Sequence, residues 1–182
     1  MISHRNSSEN AKEENRGMSE RVAKNLASAF ASESKAAVRN AAFALKADQE
    51  GHAQLARLFR AVADADSVHA RRFLLLMRGK ISGSEENLKN ALQGEAKAKG
   101  EYYPEMVKDA RESSKAVKKA FAQSMETDGE HARLFERAME GVLANNETDY
   151  YVCQICGHIS EGFVPENCPV CHAVSGRFKS VV

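Results

Sequence analysis

Leu58-Phe59-Arg60-Ala61-Val62-Ala63-Asp64-Ala65-Asp66-Ser67-Val68-His69-Ala70-Arg71-Arg72-Phe73 is the stretch on which the fold turns. Its apolar residues return every three or four positions, the period of an amphipathic helix. Asp66 and His69 fall on the same stripe as Val62 and Phe73, and a spacing of three puts both on one face, about one turn apart. The same interruption occurs elsewhere. Asp128 and His131 break a stripe of Phe121, Ser124 and Phe135, Glu33 lies between Phe30 and Ala37, and Glu95 continues the Leu88–Leu92 stripe. Glu33 precedes Asp66 by 33 residues, as Glu95 precedes Asp128, so Glu33/Asp66/His69 returns as Glu95/Asp128/His131 at a constant offset of 62. The pattern predicts two helical hairpins related as a pseudo-repeat.

Around these positions the helical period extends over four blocks. The first runs from about Arg21 to Ala47, with Leu26, Phe30, Ala37, Ala41 and Ala44 inward. The second runs from about Glu50 to Arg78, with Leu55, Leu58, Phe59, Val62 and Phe73 inward. A third starts at Ser84, read as its cap, and continues to about Ala110, carrying Leu88, Ala91 and Leu92. The fourth spans about Ser114 to Leu143, with Val117, Phe121, Phe135 and Met139 inward. Between Arg21 and Ala144 there is one proline, Pro104, amid abundant Ala, Leu, Glu, Lys and Arg. The fold class expected is an all-α four-helix bundle with a small C-terminal metal-binding β module. The boundaries follow from composition: a disordered tail over 1–19, the bundle over 20–144, a polar linker over 145–149 and the module over 150–182.

A chain of 182 residues holds one good core and a small appendage. At net charge +1, with acids and bases interleaved, it has no basic stripe for nucleic acid. The longest apolar run, Phe73 to Met77, is five residues, far short of a bilayer span, and residues 1–20 lack the apolar core of a signal peptide. No membrane partner and a cytoplasmic location are expected.

All four cysteines lie in the last thirty residues as Cys153-x-x-Cys156 and Cys168-x-x-Cys171. Each such turn aims two thiolates at one ion, and two turns supply a tetrahedral tetrathiolate site. A segment this short needs such a staple to fold. Zinc and iron both suit four sulfurs. The neighbouring bundle, and Tyr151, Phe163 and Phe178 available to wrap the site, favour iron. Gly157 and Pro169 fit tight knuckles, and Tyr151-Val152 and Phe163-Val164 read as β-prone. With the tetrahedron filled by sulfur, His158 and His172 are expected to be exposed.

Taken singly, each ionisable residue of the helices is consistent with a solvated helix-face charge. Six at one level of a bundle are harder to reconcile with that, because four carboxylates in an apolar interior would repel one another and lose their hydration. Two divalent cations would cancel the charge. A Glu from each of two helices plus carboxylate-x-x-His from the other two is the dimetal constellation of ferritin-like bundles. The expected metal ligands are therefore Glu33, Asp66, His69, Glu95, Asp128 and His131 in the bundle, with Cys153, Cys156, Cys168 and Cys171 in the module.

The chain from about residue 20 onward resembles the rubrerythrin family. The likeness rests on Ala29-Phe30-Ala31-Ser32-Glu33-Ser34, on Leu58 to Ala63 leading to His69-Ala70, on Gly94-Glu95 and Tyr103-Pro104, and on Cys153 to Cys171. It implies a ferritin-like di-iron bundle followed by a rubredoxin-like module. It also implies peroxide reduction at the dimetal centre, with electrons relayed through the Fe(Cys)4 site and ultimately linked, indirectly, to NADH. The same six bundle residues and Tyr103, a hydrogen-bond donor beside the site, would then be catalytic. An unidentified redox protein would be the electron donor. Long transfer within one chain would be slow, so the resemblance implies a homodimer in which one chain's module serves the other's bundle.

Three positions depart from the family pattern. Asp66 and Asp128 stand where the family has Glu, drawing each carboxylate back by about 1.5 Å, one C–C bond. Ala98 replaces a further Glu that the family uses, in alternation with a His, as a ligand to one iron. This leaves a symmetric set of four carboxylates and two histidines. Asn40 stands where a Tyr is common. Because both Asp substitutions occur together, they read as an adjusted site. Two alternatives stay open: a ferroxidase or iron-binding protein acting on dioxygen, or a non-enzymatic bundle with a structural zinc ribbon.

Overall fold

The computed structural model describes residues 18–141 and 147–181. Most of the expected tail, the expected end of the fourth helix at Leu143 and the start of the linker lie outside the described residues. Contacts divide the chain into two compact units, one ending at Ile81 and the other beginning at Ser82.

The first unit is a helical hairpin. Helix α1 (Glu20–Gln49) is capped by Ser19, whose Oγ accepts the Val22 N–H at 3.3 Å. It stops where Gly51 takes a φ of +81° and the His52 N–H turns back to the Ala47 carbonyl at 2.8 Å. Helix α2 (Ala53–Leu76) returns antiparallel to it. Phe43 meets Phe59 edge to face at 5.4 Å between ring centres, and Arg60 bonds Asp48 at 2.7 Å near the turn. The buried seam is made of small residues, Ala44 and Ala47 on α1 with Ala56, Ala63 and Ala70 on α2. The seven-residue spacing of the α2 alanines keeps them on one line of the helix. Leu55, Leu58 and Val62 were expected inward but are exposed, Leu58 by 57%, and Ala41 is exposed as well. A contact between only two helices takes a narrow stripe, and alanine fills it; the wider apolar face lies beside that stripe.

The second unit opens with α3 (Ser84–Lys97), whose cap position is Gly83 rather than the expected Ser84. Asn87 ties the entry down instead, bonding the Ser82 N–H at 2.8 Å and the Ser82 carbonyl at 2.7 Å. The third helical block is not one uninterrupted α-helix. Residues Ala98–Tyr102 form a π-turn, followed by α4 (Tyr103–Asp109) and a 3-10 turn (Ala110–Glu112). Pro104 has no N–H to pair with the carbonyl four residues back, and the Tyr103 N–H reaches Ala98 O, five residues back, which widens the helix by one residue. Helix α5 (Lys115–Met139) is capped by Ser114, whose Oγ accepts the Val117 N–H at 3.3 Å, and it buries Thr127, Gly129 and Ala132. Val117 and Met139 were expected inward and are exposed.

The C-terminal module is a three-stranded antiparallel sheet of β1 (Tyr150–Cys153), β2 (Ile159–Glu161) and β3 (Phe178–Val181), with β1 central. Tyr151 pairs with Ser160 on one side and Ser180 on the other. Its core is sulfur: Cys153, Cys168 and Cys171 are buried, with Cys156, Val170, Ala173 and Phe178 packed against them. Phe163 was expected to help wrap the site; it is 66% exposed and belongs to no strand, as is true of Val164. Among the described residues no helix is long and apolar enough to cross a membrane.

Candidate metal centres

In the module the two C-x-x-C turns are near copies. The Gly157 N–H bonds Cys153 O at 3.0 Å and the His172 N–H bonds Cys168 O at 2.9 Å; the Cys153 N–H reaches His158 O at 2.9 Å and the Cys168 N–H reaches Ala173 O at 2.8 Å. The residue after each second cysteine is left-handed, Gly157 at φ +85° and His172 at +63°. Cys153 and Cys171 sulfurs lie 3.6 Å apart, as do those of Cys156 and Cys168. A tetrahedral ion with bonds of about 2.3 Å separates its sulfurs by about 3.8 Å, so the four sulfurs fit a single ion. Burial pushes the Cys156 and Cys171 thiols upward. Burial opposes ionisation of Cys153 too, but the backbone N–H groups of Ile155 and Cys156 bring it below the ordinary thiol range. A bound cation favours the thiolate form of all four.

The six bundle residues are gathered as two triads, one per hairpin, each with ligand atoms within 4.8 Å of one another. In the first, His69 Nδ1 faces Glu33 Oε2 at 3.4 Å, with Asp66 in the same group. In the second, His131 Nδ1 is 3.7 Å from Glu95 Oε1 and 3.9 Å from Asp128 Oδ1. Atoms bound at about 2.1 Å to one ion sit about 3 to 4 Å apart, so each triad has the spacing of part of a metal site. Glu95 is held above the usual carboxylate range by burial and then by Asp128 beside it, against the pull of His131. Asp128 is likewise raised by burial, with His131 opposing. A divalent cation held between these carboxyls would favour their ionised form.

Contacts not legible in the sequence tie the second triad to the cysteine module. His131 Nε2 lies 3.0 Å from the Gly157 carbonyl. A carbonyl only accepts, so Nε2 carries a hydrogen, and in the neutral ring Nδ1, on the side of Glu95 and Asp128, is the nitrogen that a metal would take. This is the arrangement in which an outer hydrogen bond fixes the tautomer of a metal-binding histidine. His158, expected to be exposed, is largely covered and bonds Glu130 Oε2 through Nδ1 at 2.6 Å. Buried Thr127 has Cys156 O 3.4 Å from its hydroxyl, and Arg137 pairs with Glu161. Three successive turns of α5 thus hold the first knuckle and β2. His131 thus touches the residue next to Cys156 of its own chain. No spacing rule announces this, because it depends on where β1 and β2 fold back onto α5.

On the first hairpin Asn40 Nδ2 donates to Asp66 Oδ2 at 2.9 Å. Tyr103 is partly buried directly after the π-turn, and its hydroxyl makes no hydrogen bond among the described residues. His172 is exposed, as expected.

This combination of paired carboxylate–histidine triads on helical hairpins with a four-cysteine β module is that of a metal-binding protein of the ferritin-like class. The rubrerythrin family model matches residues 24–85 and 86–155, and the model for the rubredoxin-like domain of rubrerythrin matches residues 151–179. The chain is 31% identical to nigerythrin of Nitratidesulfovibrio vulgaris over 169 residues, covering 85% of this chain and 83% of that one. It is 31% identical to a rubrerythrin of Porphyromonas gingivalis over 167 residues, at 81% and 84% coverage. A solved structure of nigerythrin in a mixed-valence state superposes with a TM-score of 0.50 at 26% identity, covering 87% of this chain and 86% of that one. The chain belongs to the rubrerythrin family. Its fold is the ferritin-like one with a rubredoxin-like module, and the family's cofactors are a di-iron centre and a rubredoxin-like iron, matched here by the two acidic–histidine triads and the four cysteines.

Proposed function

We propose that this protein reduces hydrogen peroxide to water, with Glu33, Asp66, His69, Glu95, Asp128 and His131 holding a dimetal centre and the four cysteines holding an electron-carrying iron. The observation that carries this reading is His131, whose Nδ1 faces two carboxylates while its Nε2 bonds the carbonyl beside Cys156. When bound, the metals supply the two electrons that peroxide takes up with two protons to give two waters. His131 provides the connection between the two sites, through one hydrogen bond and the short backbone run from Gly157 to Cys156. Glu130 and His158 hold the knuckle in place for it. Leu88, Leu134 and Phe135 line an apolar cavity of about 480 Å³ that reaches Glu95 and His131, which limits water around the reacting atoms. Tyr103, next to the π-turn, is assigned the role of donating a proton or hydrogen bond at the site.

The working form is a homodimer. Large apolar side chains exposed on the first hairpin, Val38 at 73% and Leu58 at 57% among them, support this reading. A separate redox protein, linked indirectly to NADH, returns electrons to the cysteine-bound iron.

The test is metal analysis of protein purified without oxygen, followed by rapid mixing with peroxide. About three irons per chain are expected, and in protein reduced beforehand the red of the ferric cysteine site should return as peroxide is consumed. Reoxidation by dioxygen but not peroxide would favour the ferroxidase reading. Zinc at the cysteines with no bundle metal would overturn both.

A further inference from the structure

Hydrogen bonds to the two aspartates differ between the triads. Asp66 accepts a hydrogen bond from Asn40 Nδ2 at 2.9 Å, whereas Asp128 accepts none among the described residues. Asn40 and Glu33 are seven residues apart on α1, two turns along one face. Asp66, on the antiparallel α2, lies between them, with Asn40 on one side and the Glu33–His69 pair on the other. A donor on Oδ2 turns the plane of the carboxylate and so sets how it is offered to an ion.

We propose that Asn40 is a positioning residue that orients the short Asp66 carboxylate for metal, a role that rests on the dimetal reading above. Aspartate has one fewer rotatable bond than glutamate and a shorter reach, so its carboxylate contributes a ligand only if its plane is correctly turned. An amide suits the task because it donates without adding positive charge that would repel a cation. Its orientation is also settled by chemistry, since an ionised carboxylate only accepts and the amide nitrogen must face it. Among the described residues Asn40 hydrogen-bonds no candidate ligand other than Asp66.

The experiment is a manganese(II) titration followed by electron paramagnetic resonance, on full-length protein whose cysteine site already holds iron. It compares the wild type with Asn40→Leu, which keeps the branched skeleton and removes the donor, and Asn40→Gln, which keeps the donor on a longer arm. Asn40→Leu is expected to weaken manganese binding by about ten- to a hundred-fold and to change the signal of the ion that remains bound. Asn40→Gln should recover part of both. Thermal unfolding of the metal-free variants checks that the hairpin is intact, and a purely structural role would lower those melts without altering the spectrum of bound manganese. Equal affinity and spectrum in wild type and Asn40→Leu would overturn the role of Asn40. A wild type that binds no manganese beyond the cysteine site would overturn the dimetal reading itself.

Discussion

The two hairpins carry Glu, Asp and His at identical spacing, yet each holds a different ligand from behind. On the first, the Asp is held, by Asn40; on the second, the His is held, by the Gly157 carbonyl. The surroundings differ as well: the His69 side chain is 51% exposed and that of His131 19%. A repeat in sequence therefore yields two unlike triads, one whose carboxylate is bonded by an amide and one whose imidazole is bonded to the cysteine module. The identity of the ligands lies in the repeat, and their division of labour lies in what folds against each.

Removing a carboxylate outright should have the largest effect. Asp66→Ala and Asp128→Ala are each expected to lower bundle metal affinity by more than the roughly hundred-fold that loss of an outer contact costs. Metal bound by the cysteines should be unchanged in both. Metal analysis after dialysis checks this, and full bundle metal in either variant would break the pairing of the two triads.

That pairing was readable because helical period and fixed spacing are properties of the chain alone, and so was the tetrathiolate site, whose two turns are local. Packing partners were not. Leu58 and Val62 read as inward because they lie on an apolar face, but the period names a face and not its partner; α1 contacts the alanine line beside them. The π-turn escaped because it depends on Pro104 lacking a hydrogen exactly one turn after Gly100, a backbone effect that side-chain hydropathy does not register. His158 was assigned to solvent by counting sulfur ligands, which cannot foresee the Glu130 carboxylate arriving from α5.

The bond between Glu130 and His158 exists only on the second hairpin, so it offers a smaller test of the asymmetry. Both side chains are mostly covered, at 24% and 12% exposure. A double-mutant cycle with Glu130→Ala and His158→Ala, read from urea unfolding of metal-loaded protein, should show a coupling of about 1.5 to 3 kcal/mol. Additive single effects would mean that this contact does not help dock the module on α5.

Acidity offers a test of the second hairpin by itself. Glu95 and Asp128 are raised by burial, so the folded second hairpin holds protons that the unfolded chain releases. Their contribution to metal-free stability is greatest below the ordinary carboxylate range near about 4 and falls as pH rises from there through the raised values. Asp128→Asn removes one of these charges. Metal-free wild type should therefore lose stability relative to the variant as melts are taken from acid toward neutral pH. Parallel curves would show that Asp128 does not titrate with folding.

The smallest effect is expected within the module, where the knuckles repeat the lesson of the hairpins on a shorter scale. Both need a left-handed residue after the second cysteine, but one has Gly157 and the other His172, at φ +85° and +63°. A side chain in that region costs roughly 1 kcal/mol, and glycine avoids the cost. Gly157→Ala should destabilise the metal-loaded module by about 1 kcal/mol, even though no atom stands within 4 Å of the added methyl, because the strain is in the backbone. His172→Gly should do the reverse by a smaller amount, since glycine also loosens the unfolded chain. His172 is exposed and its ring bonds nothing among the described residues, so relief of strain is not masked by a lost contact. Opposite shifts in the chelator concentration that releases half the metal would confirm that the knuckles are equivalent in backbone and unequal only in side chain. Shifts of the same sign would mean that the second knuckle depends on the histidine itself.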